Sequence, residues 1–154
     1  MSASVRIAGL GLAVTPPPGW EATIYRRPSL AGEATYPVLH AATVPLVAGR
    51  GDYGSGVVET LGALDVFVGL LDFGSAAAGT PLFAATGLPG LSPDVFRPKA
   101  LQRVIAGQAG VQRFFTAGNR AMCLYVVLGA FANRGPLTYR ANHVIGSLGI
   151  DARP

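Results

Sequence analysis

VQRFFTAGNRAMCLYVVLGAF, running from Val111 to Phe131, is the stretch that decides the fold of this chain. Two apolar arms are joined by Ala117-Gly118-Asn119-Arg120, a combination typical of a β-hairpin. The second arm, Ala121 to Phe131, is apolar at both alternating positions, whereas a strand with one wet face should alternate with polar residues. We therefore expect the second arm to lie inside a sheet that is covered on both faces.

Other segments predict further strands of this sheet. Asp65 to Phe73 (DVFVGLLDF) is also apolar at both alternating positions and predicts a second central strand. The prolines and glycine of Thr15 to Trp20 (TPPPGW) predict a rigid corner, with Trp20 covering the open end of the core. Strand patterns also occur at Leu10 to Val14, Glu21 to Arg27 and Val38 to Val44.

The second half of the chain contains one ambiguous segment and one clear helix. Pro98 to Ala106 fits either a helix or a strand paired with Val111 to Thr116, and the strand is favoured. Pro136 suits the first turn of a helix, and Gly149 a position after its end. The apolar positions of this helix are Leu137, Ala141, Val144, Ile145 and Leu148, which share one face.

These elements predict one α+β domain over residues 1–154, built as a layered sandwich. Its central sheet would be mostly antiparallel and flanked by helices. The terminal helix supplies one cover, but the rest of the sequence offers only short or doubtful helices for the other. This missing layer points to a partner.

Composition also favours a protein partner or self-association. Half of the residues are hydrophobic and only 13% are charged, which predicts an apolar docking surface. Residues 78–154 carry eight basic and two acidic side chains, but the basic residues form no run and no aromatic-basic motif accompanies them. Nucleic acid is therefore an improbable partner.

The sequence predicts a cytoplasmic protein without a membrane span. Its start lacks the pattern of a signal peptide, and the longest uncharged apolar run, Ala121 to Ala132, is too short to cross a bilayer. Cys123 is the single cysteine, which excludes an internal disulfide, and its apolar neighbours predict an inert core thiol.

The glycine-rich stretch Gly49 to Gly56 (GRGDYGSG) invites comparison with a phosphate-binding loop. A Walker loop needs a Lys-Ser/Thr pair, and a dinucleotide loop needs a preceding strand and a following helix. Neither pattern is complete here, so a shaped surface loop is favoured, with ligand binding left open. Arg50-Gly51-Asp52 is also the integrin-binding tripeptide, which we attribute to chance.

No catalytic, metal-binding or cofactor-binding residue is predicted, and the sequence does not favour an enzyme. His40 and His143 are the only imidazoles, and no G-x-S-x-G, H-x-H or H-E-x-x-H motif occurs. Asp65 and Asp72 are seven residues apart on one strand, so they point to opposite faces. The candidate contacts for a ligand or partner are Trp20, His40, Arg50, Asp52 and Tyr53.

The order of features resembles the PsbP-like fold family. A leading strand precedes the Pro18-Gly19-Trp20 corner, a turn follows at Gly118-Asn119-Arg120, and the last helix ends at Val144 to Leu148. This family includes the photosystem II extrinsic protein, the Ran-binding import factors and the adaptor chaperones of type VI secretion effectors. The resemblance implies an α/β/α sandwich around an antiparallel sheet and a docking role without a shared catalytic set.

The leading functional prediction is therefore a non-catalytic adaptor or chaperone-like domain that binds a protein partner. The first alternative is a structural subunit of a homo-oligomeric assembly, such as a phage-like or secretion particle. The second is a small-molecule enzyme of unknown reaction, for which His40 and the Gly49–Gly56 loop are the residues to mutate in a test.

Overall fold

The computed structural model describes residues 5–152 and contains two antiparallel sheets that share one core. Within these residues there is a single α-helix, α1 (Arg134–Ile145), with four short 3-10 turns. The small sheet has the order β1-β2-β8, and the large sheet has the order β3-β4-β5-β7-β6. The strands are β1 (Ile7–Gly9), β2 (Leu12–Val14), β3 (Glu21–Arg26), β4 (Pro37–Ala42), β5 (Val66–Asp72), β6 (Ala109–Ala117), β7 (Arg120–Leu128) and β8 (Gly149–Ile150).

The hairpin predicted from the opening stretch is confirmed. Strands β6 and β7 pair along their whole length and are joined by Gly118 and Asn119, both at positive φ (57° and 61°). This backbone conformation matches the twist of a two-residue hairpin turn. Every residue of β7 is buried, and β7 lies between β5 and β6, as the apolar pattern requires. Every residue of β5 is buried too, which confirms the second central strand.

One face of the large sheet packs against α1 and the small sheet. The predicted apolar stripe of the helix is buried there, together with side chains from β5 and β7. Side chains from β2 join the same cluster, so both sheets close over one core. The core residues shared by these elements include Leu12, Val14, Val68, Leu124, Leu137 and Val144.

Irregular chain covers the other face, so the prediction of a sheet flanked by helices is wrong. Phe67, Tyr125 and Val127 of the sheet pack against side chains of residues 44–61 and 101–105. These covering segments contain only one 3-10 turn, Val58–Thr60. A loop can cover an apolar face when its own backbone groups are hydrogen-bonded, and such a loop has no sequence period.

Two further predictions about elements are also wrong. Pro98 to Ala106 is neither helix nor strand, but part of the cover just described. Leu10 to Val14 is not one strand, because Leu10 and Gly11 form a turn at φ 55° and 80° between β1 and β2. The alternation of glycine with leucine and valine resembles a strand pattern and conceals this turn.

No helix among residues 5–152 is long and apolar enough to cross a membrane.

Candidate functional site

Four of the five candidate contact residues gather where the Gly49–Gly56 loop crosses β3 and β4. The centre of this group is His40, which is fully buried. The Nε of Arg50 donates a hydrogen bond to Nδ1 of His40 at 2.8 Å, and Nε2 of His40 lies 2.7 Å from the carbonyl oxygen of Asp52. Because the Arg50 Nε is always a donor, Nδ1 must accept and Nε2 must carry the proton.

Burial lowers the pKa of His40 to about 4, and the charge of Arg50 acts in the same direction. The imidazole is therefore neutral at pH 7, in agreement with its two hydrogen bonds. It has no free nitrogen left for a substrate proton or a metal ion.

Asp52 and Arg50 make further contacts to β3 that the sequence analysis missed. The hydroxyl of Tyr25 donates to Asp52 at 2.7 Å, and Arg27 forms an ion pair with the same carboxylate at 2.8 Å. Arg50 also donates to the hydroxyl of Thr23 and lies over the Tyr25 ring. Burial and the hydrogen bond to Asp52 raise the pKa of Tyr25. The period-two spacing of Thr23, Tyr25 and Arg27 was the available signal for a shared face.

Three backbone amides of the Gly49–Gly56 loop donate hydrogen bonds to nearby residues. Gly51 donates to Ser55, Gly54 donates to Gly51, and Gly56 donates to the carboxylate of Glu59. Gly54 is at φ 85°, and a Cβ on it would lie 2.7 Å from the Phe67 ring. Gly54 thus lets the loop lie flat on the sheet, and the amides of Gly51, Gly54 and Gly56 are not free to bind a phosphate.

Tyr53 lies beside this cluster, whereas Trp20 does not. The Tyr53 ring makes an edge contact with Tyr125, at 5.3 Å between centroids, and lines a cavity of about 60 Å³ together with Gln108. Trp20 packs against the core on the opposite face, near the helix. The structure therefore brings together His40, Arg50, Asp52 and Tyr53, and leaves Trp20 apart.

A second charged cluster, also missed from the sequence, joins the two sheets. Asp72 and Arg120 form a buried ion pair, and Arg120 also donates to the carbonyl oxygens of Leu10 and Gly11 at the β1–β2 turn. Asp72 accepts a further hydrogen bond from the Gly74 amide at 2.7 Å. A cavity of about 300 Å³ lies next to this pair, with Arg26 also in its lining.

The large sheet has two edge strands, β3 and β6, and the outer side of β6 is partly paired. Gly110 exchanges two hydrogen bonds of 3.0 Å with Arg97, and Thr116 bonds to Ala85 and Gly87 at 2.7 and 2.9 Å. Backbone groups that point away from β7 recur every second residue, so those of Gln112 and Phe114 also point outward. Within residues 5–152, no backbone group pairs with these two residues on the outer side.

A groove of about 360 Å³ runs beside this unpaired stretch of β6. It lies between β6 and the segment that follows Phe96. Its lining is mixed. The apolar residues are Val95, Leu101 and the buried Val111, and the basic residues are Arg97, Lys99 and Arg113. This site could not be predicted from the sequence, because neither the edge position of β6 nor the fold of residues 95–102 is visible in a residue pattern.

No protein-family model, curated protein or solved structure matches the chain. The PsbP-like resemblance stays a prediction from the sequence, and the helix-flanked sandwich that it implied is not the observed architecture.

The two regions differ in what they can do chemically. In the loop cluster, His40, Arg50 and Asp52 bond to one another and to β3, so their polar groups tie the loop to the sheet. At β6, backbone donors and acceptors face outward next to a concave, positively charged surface. The β6 edge and its groove are therefore the better candidate for a functional site.

Proposed function

We propose that this protein is a non-catalytic protein-binding domain that receives an extended segment of a partner at the β6 edge. The observation that carries the proposal is the outer side of Gln112 and Phe114, between the bridges at Gly110 and Thr116, with which no other backbone group of residues 5–152 pairs. The Gln112 carbonyl accepts a hydrogen bond from the exposed Arg113 side chain. Unpaired groups on a sheet edge are a template for another extended chain.

Other segments of this chain already pair with the β6 edge on both sides of Gln112 and Phe114. Arg97 forms an antiparallel bridge with Gly110, and Thr86 forms a parallel bridge with Thr116. The open stretch between these bridges is short, so backbone pairing alone would give little affinity. The groove beside it supplies the side-chain contacts that an added strand needs for specificity.

Aromatic side chains next to the open stretch offer an apolar anchor. The Phe114 ring makes an edge contact with Phe83 at 5.6 Å, and Phe73 lies 5.9 Å from the same Phe83 ring. Phe73 is 37% exposed, and the neighbouring Leu82 is 60% exposed. This cluster agrees with the apolar docking surface that the composition predicts.

A pair of variants at Gln112 tests the proposal. Gln112→Pro removes the outward N–H without touching the ladder to β7, and Gln112→Ala removes the same side chain but keeps that N–H. Peptides would be selected on the wild-type protein from a displayed random library. Their Kd values would then be measured for all three proteins, after far-UV circular dichroism has shown that each is folded.

We expect Gln112→Pro to weaken binding by about tenfold, the equivalent of one or two lost hydrogen bonds, and Gln112→Ala to bind like the wild type. Equal binding to all three proteins, or a selection without binders, would overturn the proposal. Light scattering adds one more outcome. If the wild type and Gln112→Ala self-associate and Gln112→Pro does not, the β6 edge binds another copy of this chain. That result would favour a structural subunit of a homo-oligomeric assembly.

A further inference from the structure

We infer that the segment received at β6 is acidic and also carries aliphatic side chains. The inference rests on the proposed function and adds the chemistry of the partner. It is carried by three exposed cations in the lining of the groove, Arg97, Lys99 and Arg113.

These cations have no carboxylate partner among the described residues. The two ion pairs of residues 5–152 are Arg27 with Asp52 and Arg120 with Asp72, and neither lies at the groove. The guanidinium of Arg97 bonds to the backbone carbonyl oxygens of Asp94 and Phe96, and that of Arg113 bonds to the carbonyl of Gln112. No carboxylate lines the groove, so its charge is uncompensated.

The groove also restricts the composition of the ligand. An added strand presents successive side chains to opposite faces of the sheet. Val111 belongs to the apolar cluster on the helix face and Leu101 to the cluster on the loop-covered face, so each face offers an apolar contact. A segment that mixes acidic residues with valine or a similar aliphatic residue fits both the apolar and the cationic parts of the lining.

Two other occupants fit less well. A second copy of this chain would bring the cations Arg97, Lys99 and Arg113 close to their own equivalents, and like charges repel. A single-stranded nucleic acid would find the positive charge but no aromatic ring in the groove lining on which a base could stack.

The test uses three labelled peptides of about eight residues, the usual reach of an added strand. One alternates glutamate with valine, the second has glutamine for each glutamate, and the third has lysine. An oligothymidylate of similar length serves as the nucleic-acid probe. Fluorescence anisotropy gives the Kd of each at low and at high salt.

We expect the glutamate peptide to bind about tenfold more tightly than the glutamine peptide at low salt, and the difference to shrink as salt rises. Lys99→Gln combined with Arg113→Gln should abolish that preference. Arg26→Gln combined with Arg140→Gln, which removes the same charge from β3 and α1, should keep it.

Equal binding of the glutamate and glutamine peptides would overturn the inference, and so would tighter binding of the lysine peptide or of the oligothymidylate. The proposed function is tested separately by the selected library. If that library yields peptides sensitive to Gln112→Pro but without acidic residues, the acidic partner is wrong and the protein-binding edge stands. If the library yields no peptide that is sensitive to Gln112→Pro, both the protein-binding edge and the acidic partner are wrong.

Discussion

His40 links a surface loop to the sheet through a neutral imidazole. Its two ring nitrogens bond to Arg50 and to the carbonyl of Asp52, and the ring packs edge-on against Tyr25 and Phe67. Protonation would place a second hydrogen on Nδ1, directly against the Arg50 guanidinium. The charged form is therefore excluded both by burial and by a neighbouring cation.

This arrangement predicts that stability falls with pH below the ordinary pKa of histidine. The folded pKa of about 4 lies below the ordinary value of 6.5, so the unfolded chain takes up this proton more readily. The contribution of His40 is complete above pH 6.5 and decreases by about 1.4 kcal/mol for each pH unit as pH falls toward 4. Urea denaturation between pH 7 and pH 4.5 measures it.

His143 provides the matched control, because it lies exposed on α1. His40→Gln should be less stable at pH 7 and should lose less stability on acidification than the wild type. His143→Gln should behave like the wild type at every pH. Parallel pH profiles for all three proteins would show that the neutral imidazole does not stabilise the loop.

The same cluster shows what a sequence can predict at this scale. The strand pattern of Val38 to Val44 places His40 in the sheet, and the structure confirms it. Its partners could not be predicted, because Arg50 and Asp52 reach it through an irregular loop. Gly54, which must be glycine to clear the Phe67 ring, looks in the sequence like any glycine of a flexible loop.

At the scale of elements, α1 contains one buried hydroxyl that has no hydrogen-bond partner in the structure. Thr138 is 2% exposed, and its Oγ1 makes no hydrogen bond. The contrasting residue is Thr43, whose Oγ1 donates to Asp65 at 2.8 Å and accepts from the Val66 amide at 3.0 Å. The hydroxyl of Thr43 should therefore stabilise the fold, whereas that of Thr138 should not.

Valine keeps the shape of threonine and removes the hydroxyl, so Thr138→Val should leave the free energy of unfolding unchanged or raise it by about 1 kcal/mol. Thr43→Val should lower it by about 1–3 kcal/mol, because it leaves Asp65 and Val66 without their partner. Chemical denaturation at pH 7 measures both. A marked loss of stability in Thr138→Val would show that this hydroxyl has a partner in solution, such as a bound water.

Elements with a regular period were predictable, and the others were not. Strands β5 and β7 and the stripe of α1 follow from runs and spacings of apolar residues. The cover of the second face has no such period, since residues 44–61 and 101–105 bury a few side chains each from an irregular backbone. The lack of a second predicted helix layer points to a partner on this face, but the chain covers the face itself.

On the scale of the whole molecule, the buried pair of Asp72 and Arg120 couples the two sheets. Asp72 ends β5 and Arg120 begins β7, while the carbonyls that Arg120 binds belong to the turn between β1 and β2. The side chain of Asp72 is 2% exposed and that of Arg120 is 4% exposed. Removal of one partner would leave a buried charge without its counterion.

Asp72→Asn should therefore lower the free energy of unfolding by about 3–5 kcal/mol. The double variant Asp72→Leu with Arg120→Met removes both charges and should lose less than the sum of Asp72→Leu and Arg120→Met alone. Arg27→Gln, which breaks an ion pair whose arginine is 58% exposed, should cost less than about 1 kcal/mol. A double variant that loses the full sum would show that the two residues act independently.

The position of the β6 groove is also a property of the whole molecule. The sequence shows Gln112 and Arg113 as polar residues in one arm of a hairpin, which indicates a less buried strand than β7. Which strand is the edge depends on how distant strands are ordered. The cations of residues 97–113 appear scattered along the sequence, and only the fold places three of them around one groove.

The pairing of β8 with β2 has a consequence for the order of events during synthesis. Leu12 and Ala13 of β2 pair with Ile150 and Gly149 of β8. The small sheet therefore joins segments that lie near the two ends of the described chain. Its third strand cannot form until that distant segment has left the ribosome. The side of β2 that faces β8 stays unpaired until then, so the small sheet is completed after the large one, although it contains β1 and β2.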